Sequence, residues 1–257
     1  MIALVTGASS GIGREISIGL ARRGYDLIIA ARRGQRLAEL KQELIENYGI
    51  RVHIVLCNLA KKEDCLRLYR EVSRVRVDVL VNNAGFGVFG AFDETNLDDE
   101  LRMIDVNIKA VHTLTKLFLK DFKARNSGYI LNVASLAGFM AGPNFAAYYA
   151  SKNYIVQLTK AISEELRYER SKVSVCAFCP GPVQTEFNET SGVEFAVSGM
   201  TASDAAEYAL TRMFRQKMLI VPTALGKLIS VLPRFVPTKL MLWGTGKIQR
   251  SRQIKES

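Results

Sequence analysis

The chain is predicted to fold as one doubly wound α/β domain, a parallel sheet with helices on both faces. Three observations carry this. Short apolar runs alternate with longer amphipathic stretches along the chain; the runs are rich in Val, Ile and Leu with little polar alternation; and a Gly-rich segment follows the first of them. Uninterrupted apolarity is what a strand buried on both faces requires. Strand, helix, strand repeated in this way calls for right-handed crossovers and a parallel sheet.

In order, the strands are expected at Ile2 to Val5, Leu27 to Ala31, Val52 to Cys57, Val77 to Val81, Tyr129 to Val133, Val173 to Phe178 and Met218 to Val221. The helices between them are expected at Ile12 to Arg23, Gln35 to Tyr48, Lys62 to Arg74, Leu97 to Ala124, Phe145 to Arg170 and Ser203 to Gln216. A sheet of this kind binds ligands at the carboxyl ends of its strands. The segments just after the strands therefore hold the candidate site.

Composition narrows the function classes. With 257 residues, 48% hydrophobic and 23% charged, the chain can bury one large core, and nothing in it reads as a linker. The domain is expected to span residues 1–243, with 186–243 forming the substrate loop and C-terminal region and 244–257 a basic tail. The net charge of +10 suits an anionic ligand, an acidic partner or an anionic membrane. Nucleic-acid binding would need a basic face interleaved with exposed aromatics or a reading helix, and neither is present. Four unevenly spaced cysteines and a strand that starts at Ile2 point to a reducing, cytoplasmic setting. The apolar stretch Leu219 to Trp243 is interrupted by three prolines and three basic residues, which makes it a poor membrane span. Leu225 to Trp243 with the basic tail fits a weak peripheral contact with an anionic membrane, a cover over the substrate cleft, or a helix packed on the body.

After the first strand comes Thr6-Gly7-Ala8-Ser9-Ser10-Gly11-Ile12-Gly13, then a helix. Glycines there permit a tight turn and close approach to a pyrophosphate, and the helix start supplies free N–H groups and a positive dipole end. Between the first strand and first helix of a βαβ pattern, these glycines predict a dinucleotide-binding turn, the alternative being a Gly-rich turn with no ligand. After the second strand stand Arg32 and Arg33 with no acid beside them; a base here can receive the 2′-phosphate of NADP, where an acid would bind the ribose hydroxyl of NAD. Asn58 and Leu59 follow the third strand, and Asn58 can meet an adenine edge. Asn83-Ala84-Gly85 follows the fourth, and Ser135 the fifth. Tyr148 and Lys152, four apart on a helix, lie on one face. An ammonium beside a phenol favours the phenolate and lowers its pKa toward neutrality.

Taken together, these segments resemble the short-chain dehydrogenase/reductase superfamily over roughly residues 1 to 185. The turn at Gly7 to Gly13, Asn82-Asn83-Ala84-Gly85, Asn107, Ser135, the Tyr148/Lys152 pair and Pro180-Gly181-Pro182-Val183-Gln184-Thr185 occur in the family's order. Two positions depart from it: Asn58 stands where Asp is common, and Ser10 where NADP-preferring members often carry a base.

The resemblance implies an NADPH-preferring oxidoreductase. Its cofactor would lie on Gly7, Ser9, Ser10, Gly11, Ile12 and Gly13, reach Arg32, Arg33, Asn58, Leu59, Asn83, Ala84 and Gly85, and end near Pro180, Gly181, Val183 and Thr185. The expected roles are Tyr148 as proton donor to a substrate carbonyl, Ser135 as hydrogen-bond donor to the same oxygen, Lys152 as tuner of Tyr148 and ligand of the nicotinamide ribose, and Asn107 as holder of a water that links Lys152 to solvent. The aromatics Phe86, Phe89, Phe92, Phe139, Phe145, Tyr149, Phe187 and Phe195, with Met140, are expected around an apolar pocket. A homodimer or homotetramer through the helices at 97–124 and 145–170 is implied as well. Two rival functions are weaker. A dinucleotide-binding regulator without turnover usually loses Tyr or Lys of the pair, and a nucleotide-sugar epimerase or dehydratase carries a larger C-terminal domain. No metal site is expected: Cys176 and Cys179 point to opposite faces of a strand, and His53 and His112 stand apart.

Overall fold

A computed structural model describes residues 1–187 and 199–250. Seven strands form one parallel sheet: β1 (Ile2–Thr6), β2 (Asp26–Ala31), β3 (Val52–Leu56), β4 (Val77–Asn82), β5 (Tyr129–Val133), β6 (Ser174–Phe178) and β9 (Leu219–Ile220), in the order β3-β2-β1-β4-β5-β6-β9. A short parallel pair, β7 (Val183–Gln184) with β8 (Met200–Thr201), stands apart from it. Strand order reverses between β1 and β4, so the cleft opens at the carboxyl ends of these two strands.

Each strand feeds both faces. Ala3 and Val5 of β1 pack with α1 (Gly11–Ala21), α2 (Gly34–Tyr48) and α7 (Ala202–Phe214), while Leu4 packs on the opposite side with α3 (Lys62–Val72) and α5 (Val111–Ala124). That alternation is why these strands carry apolar residues at successive positions. Helix ends obey local chemistry: Gly49 closes α2 at φ +64, and Thr201 caps α7 by accepting from the Asp204 amide at 3.1 Å.

The predicted elements are all present, with two differences. The stretch Leu97 to Ala124 is two helices, α4 (Leu97–Ile104) and α5, joined by a π-helical turn at Asp105–Ala110. The cause is Asn107, whose amide bonds both backbone groups of Phe86 and draws one extra residue into the turn. After β9 the chain forms α8 (Ala224–Val231), a 3₁₀ turn at Leu232–Arg234 and α9 (Thr238–Arg250), so helix runs across the position where a basic tail was expected to begin. Cys176 and Cys179 fall in separate apolar clusters, and all four cysteines are free.

A polar chain crosses the core beside the cleft. Asn82 of β4 donates to Thr115 Oγ1 at 3.0 Å and to Asn132 Oδ1 of β5 at 2.9 Å, and Asn132 Nδ2 donates to Thr159 Oγ1 at 3.0 Å. It ties α5 and α6 (Ala146–Tyr168) to the two central strands.

Candidate active site

A cleft of about 630 Å³ runs over the carboxyl ends of the strands. It is lined by every residue expected at the cofactor and the chemistry except Gly13 and Asn107, which stand behind its wall.

At one end is the turn after β1. Gly7 and Gly11 adopt φ +66 and +55, and a Cβ on Gly7 would come within 2.8 Å of the Ala84 Cα. Behind them, a Cβ on Gly13 would stand 2.4 Å from the Gly7 carbonyl oxygen. Asn83 braces the turn from β4, its amide donating to the Thr6 and Gly7 carbonyls at 3.0 and 3.1 Å. The turn leads into α1, whose first N–H groups have no side-chain cap and no carboxylate in the first turn. Glycine where no side chain fits, open N–H groups and a positive dipole end suit a phosphate. These residues fit a dinucleotide. Asn58 folds back on its own loop, accepting from the Ala60 amide at 3.2 Å.

The arginines correct one expectation. Sequence offers no acid near Arg33, yet Glu186, 153 residues away, forms a salt bridge to Arg33 Nη1 at 2.8 Å and another to Arg36. Arg33 also donates to Ser9 Oγ at 3.1 Å and Ser10 Oγ at 2.7 Å. Arg36, then Arg33, hold the Glu186 carboxyl down at about 2. Nothing in the sequence announces this contact, because Glu186 reaches the arginines only through the return of the chain after β7.

At the other end are Ser135, Tyr148 and Lys152. Ser135 follows β5 and opens a 3₁₀ turn, its Oγ accepting from the Ala137 amide at 3.1 Å. Tyr148 and Lys152 lie on the first turns of α6, both buried. Ser135 hydrogen-bonds the Tyr148 hydroxyl, but burial outweighs this and pushes the phenol above its ordinary value. Burial likewise pushes the Lys152 amine down to about 8. Its Nζ donates to the Val133 carbonyl at 3.0 Å and stands 5.7 Å from the Tyr148 ring centroid. The expected lowering of the Tyr148 pKa by Lys152 is therefore not the dominant effect; desolvation is. Asn107 is buried, with both amide hydrogens engaged, one by the Phe86 carbonyl at 2.9 Å and one by Ser151 Oγ at 3.1 Å.

Phe86, Met140, Phe145, Tyr149 and Phe187 wall the apolar end. Phe89 packs behind Phe145 at 5.7 Å, Phe92 is exposed, and Phe139 packs on the Ile155 cluster, so these three do not line it. Phe195 lies outside the described residues. Two contributions come from the C-terminal helices: Ile229 of α8, within the stretch Leu225 to Trp243 for which a cover over the cleft is one reading, and Thr245 of α9, which the sequence reading does not single out, line the same cleft. The signal for Thr245 was its four-residue spacing with Met241 and Gln249 on one face of α9.

Comparison with known proteins agrees with this geometry. The family model described as short chain dehydrogenase matches residues 1–194. Oxidoreductase UcpA of Salmonella typhimurium is 34% identical over 239 residues, covering 90% of this chain and 86% of the relative. Farnesol dehydrogenase of Aedes aegypti is 33% identical over 215 residues, 81% of this chain and 88% of the relative. Among solved structures, a short-chain dehydrogenase from Sphingobium yanoikuyae in complex with NADPH superposes with a TM-score of 0.82 at 27% identity, over 92% of this chain and 96% of that one. The chain belongs to the short-chain dehydrogenase family of oxidoreductases.

Proposed function

We propose that the protein reduces a carbonyl group on a largely apolar substrate, with NADPH preferred over NADH and Tyr148 as general acid. The observation that carries this reading is the buried group Ser135, Tyr148 and Lys152 at the apolar end of a cleft whose other end offers uncapped helix N–H groups and two arginines.

Gly7, Gly11 and the start of α1 hold the pyrophosphate. Arg32 and Arg33 receive the 2′-phosphate, with Arg33 exchanging Glu186 for it; the NADPH complex of the Sphingobium relative supports this choice. When bound, the nicotinamide supplies the hydride, while the chain supplies position and electrostatics. Ser135 donates to the substrate oxygen as charge develops there, and Tyr148 Oη delivers the proton. Burial raises the phenol above its ordinary value and so weakens it as an acid, which makes support of the phenolate by a neighbouring cation necessary for donation. Lys152, still mostly protonated at neutral pH with a value of about 8, stabilises the phenolate as the proton leaves. Asn107 positions the Phe86 loop against α6. The aromatic wall supports an apolar substrate, as does the name of the Aedes relative. Assembly as a homodimer or homotetramer runs through α4, α5 and α6, which light scattering checks.

The test is a scan of carbonyl compounds of rising chain length with NADPH, followed by loss of the reduced-nicotinamide absorbance. Tyr148→Phe should keep the fold and cofactor affinity but lose turnover by at least about a hundredfold, the lower end for removing a positioned acid. Wild-type turnover in that variant would sink the reading.

A further inference from the structure

Helix α9 is amphipathic with its faces reversed. The residues turned into the protein include polar Thr245 and Gln249, both buried, with Gln249 donating to Tyr149 Oη at 2.5 Å. Those turned outward are Leu240 and Trp243, the latter 63% exposed, flanked by exposed Lys239 and Lys247. A helix bordering water carries the opposite pattern. The preceding segment has the same character. Leu225, Leu228 and Val231, three apart on α8, are exposed, and Phe235 beyond them is 79% exposed, with Lys227 among them. Scattered exposed apolar residues are ordinary, but a cluster on two successive helices marks an interaction surface.

Charge selects the partner. From Tyr208 to Lys255 the chain carries ten Lys and Arg and no Asp or Glu, leaving 25 basic residues elsewhere to balance all 25 acidic ones. The whole excess of the protein therefore belongs to this segment. A second copy is a poor occupant: across a two-fold axis Lys227, Lys239 and Lys247 would meet their own images with no carboxylate in the segment to pair them. Nucleic acid would leave Leu228, Val231 and Leu240 without an apolar partner. None of the helices among the described residues is long and apolar enough to cross a membrane.

We propose that the outer face of α8 and α9 docks the protein on an anionic lipid surface, with Leu228, Phe235 and Trp243 in the headgroup and acyl boundary and the lysines at the headgroups. Ile229 and Thr245, on the inner faces of these two helices, line the cleft, so the docked face is the back of a cleft wall. Docking does not rest on the proposed catalysis, and its test needs no turnover.

Trp243 is the single tryptophan of the sequence and reports directly. The full chain is titrated with vesicles of phosphatidylcholine alone and of phosphatidylcholine with phosphatidylglycerol, following Trp243 emission and co-sedimentation. The expected result is a blue shift and sedimentation with the anionic vesicles only, weakened by salt, with quenching of Trp243 by brominated acyl chains. Replacing Lys227, Lys239 and Lys247 together with Gln should weaken binding about a hundredfold, since one such charge is worth about 1 kcal/mol, or fivefold. Leu228→Ser with Phe235→Ser should abolish it, with the thermal transition of both variants unchanged. Three outcomes overturn the proposal: an emission spectrum indifferent to anionic vesicles; equal binding by the glutamine variant; or a double serine variant that turns a dimer into a monomer while lipid has no effect, which assigns the face to a second copy.

Discussion

The Gln249 side-chain amide donates to the phenolic oxygen of Tyr149 at 2.5 Å, joining the last turn of α9 to the neighbour of Tyr148 across 100 residues of sequence. Without this donor the half-buried Tyr149 ring is held less firmly at the cleft wall. Gln249→Leu keeps most of the volume and removes the donor. The expected outcome is a rise in KM for long apolar carbonyl compounds of about two- to tenfold, the size of one neutral hydrogen bond. Turnover of the smallest substrates and NADPH affinity should stay as in wild type. Steady-state kinetics across a chain-length series checks this, and a uniform drop in kcat would count against a role in substrate fit.

Lys152 is a buried amine whose Nζ donates to a carbonyl oxygen, that of Val133. Its charge is costly to bury, as the fall to about 8 records. The folded value lies below that of the unfolded chain, about 10.4. The destabilisation is therefore complete below pH 8 and fades as pH rises from about 8 to 10.4, over which the unfolded chain binds more protons. Lys152→Met should melt at a higher temperature than wild type at pH 7, with the gap closing above pH 8, and should lose activity by at least about a hundredfold. A gap constant with pH would show that the gain comes from packing and not from charge.

Glu186 occupies Arg33, so on the proposed reading a 2′-phosphate must compete with it. Exposed ion pairs are worth at most about 1 kcal/mol, so Glu186→Gln should raise the preference for NADP over NAD by up to about fivefold. Arg33→Ala should lower that preference by roughly ten- to a hundredfold, the value of one hydrogen bond to a charged group. Both effects should shrink with added salt. Calorimetric titration of each variant with both cofactors decides it: unchanged ratios would mean that Arg33 serves only to hold the loop at Ser9 and Ser10.

Gly13 has no room for a side chain, a Cβ there standing 2.2 Å from Asn83 Nδ2 and 2.4 Å from the Gly7 carbonyl oxygen. Gly13→Ala must push α1 away from the turn. Cofactor affinity is expected to fall at least about tenfold and the melting temperature to drop with it. Gly244→Ala, where nothing lies within 4 Å, is the control and should leave both unaffected or slightly raise stability through helix propensity. Equal effects of the two substitutions would contradict the cradle.

Most of the sheet was legible because both-face burial leaves runs such as Leu27 to Ala31 with no polar position to confuse the period. Site residues were legible where chemistry and strand ends coincide, as at Gly7, Ser135 and Tyr148. The rest depended on contacts that no local pattern encodes. The π turn at Asn107 arises from a bond to Phe86, 21 residues away, and the Glu186 contact spans 153 residues. The C-terminal helices were obscured for another reason. Their outward faces are apolar, so hydropathy read as burial gives the wrong side of α9.

The chain of amides and hydroxyls through Asn82, Asn132, Thr115 and Thr159 works as an alignment key. Apolar ridges let a helix ride on a sheet at several heights, and one turn of slip, about 5.4 Å, can preserve most of such a contact. A directional bond from β5 to Thr159 rejects every height but one. Lys152 lies seven residues earlier on the same helix, about 10 Å along its axis, and reaches Val133 on that same strand. The amine and phenol are thus gauged against the strand end by a bolt set deeper in the sheet, which lets the rim around them vary without losing their height.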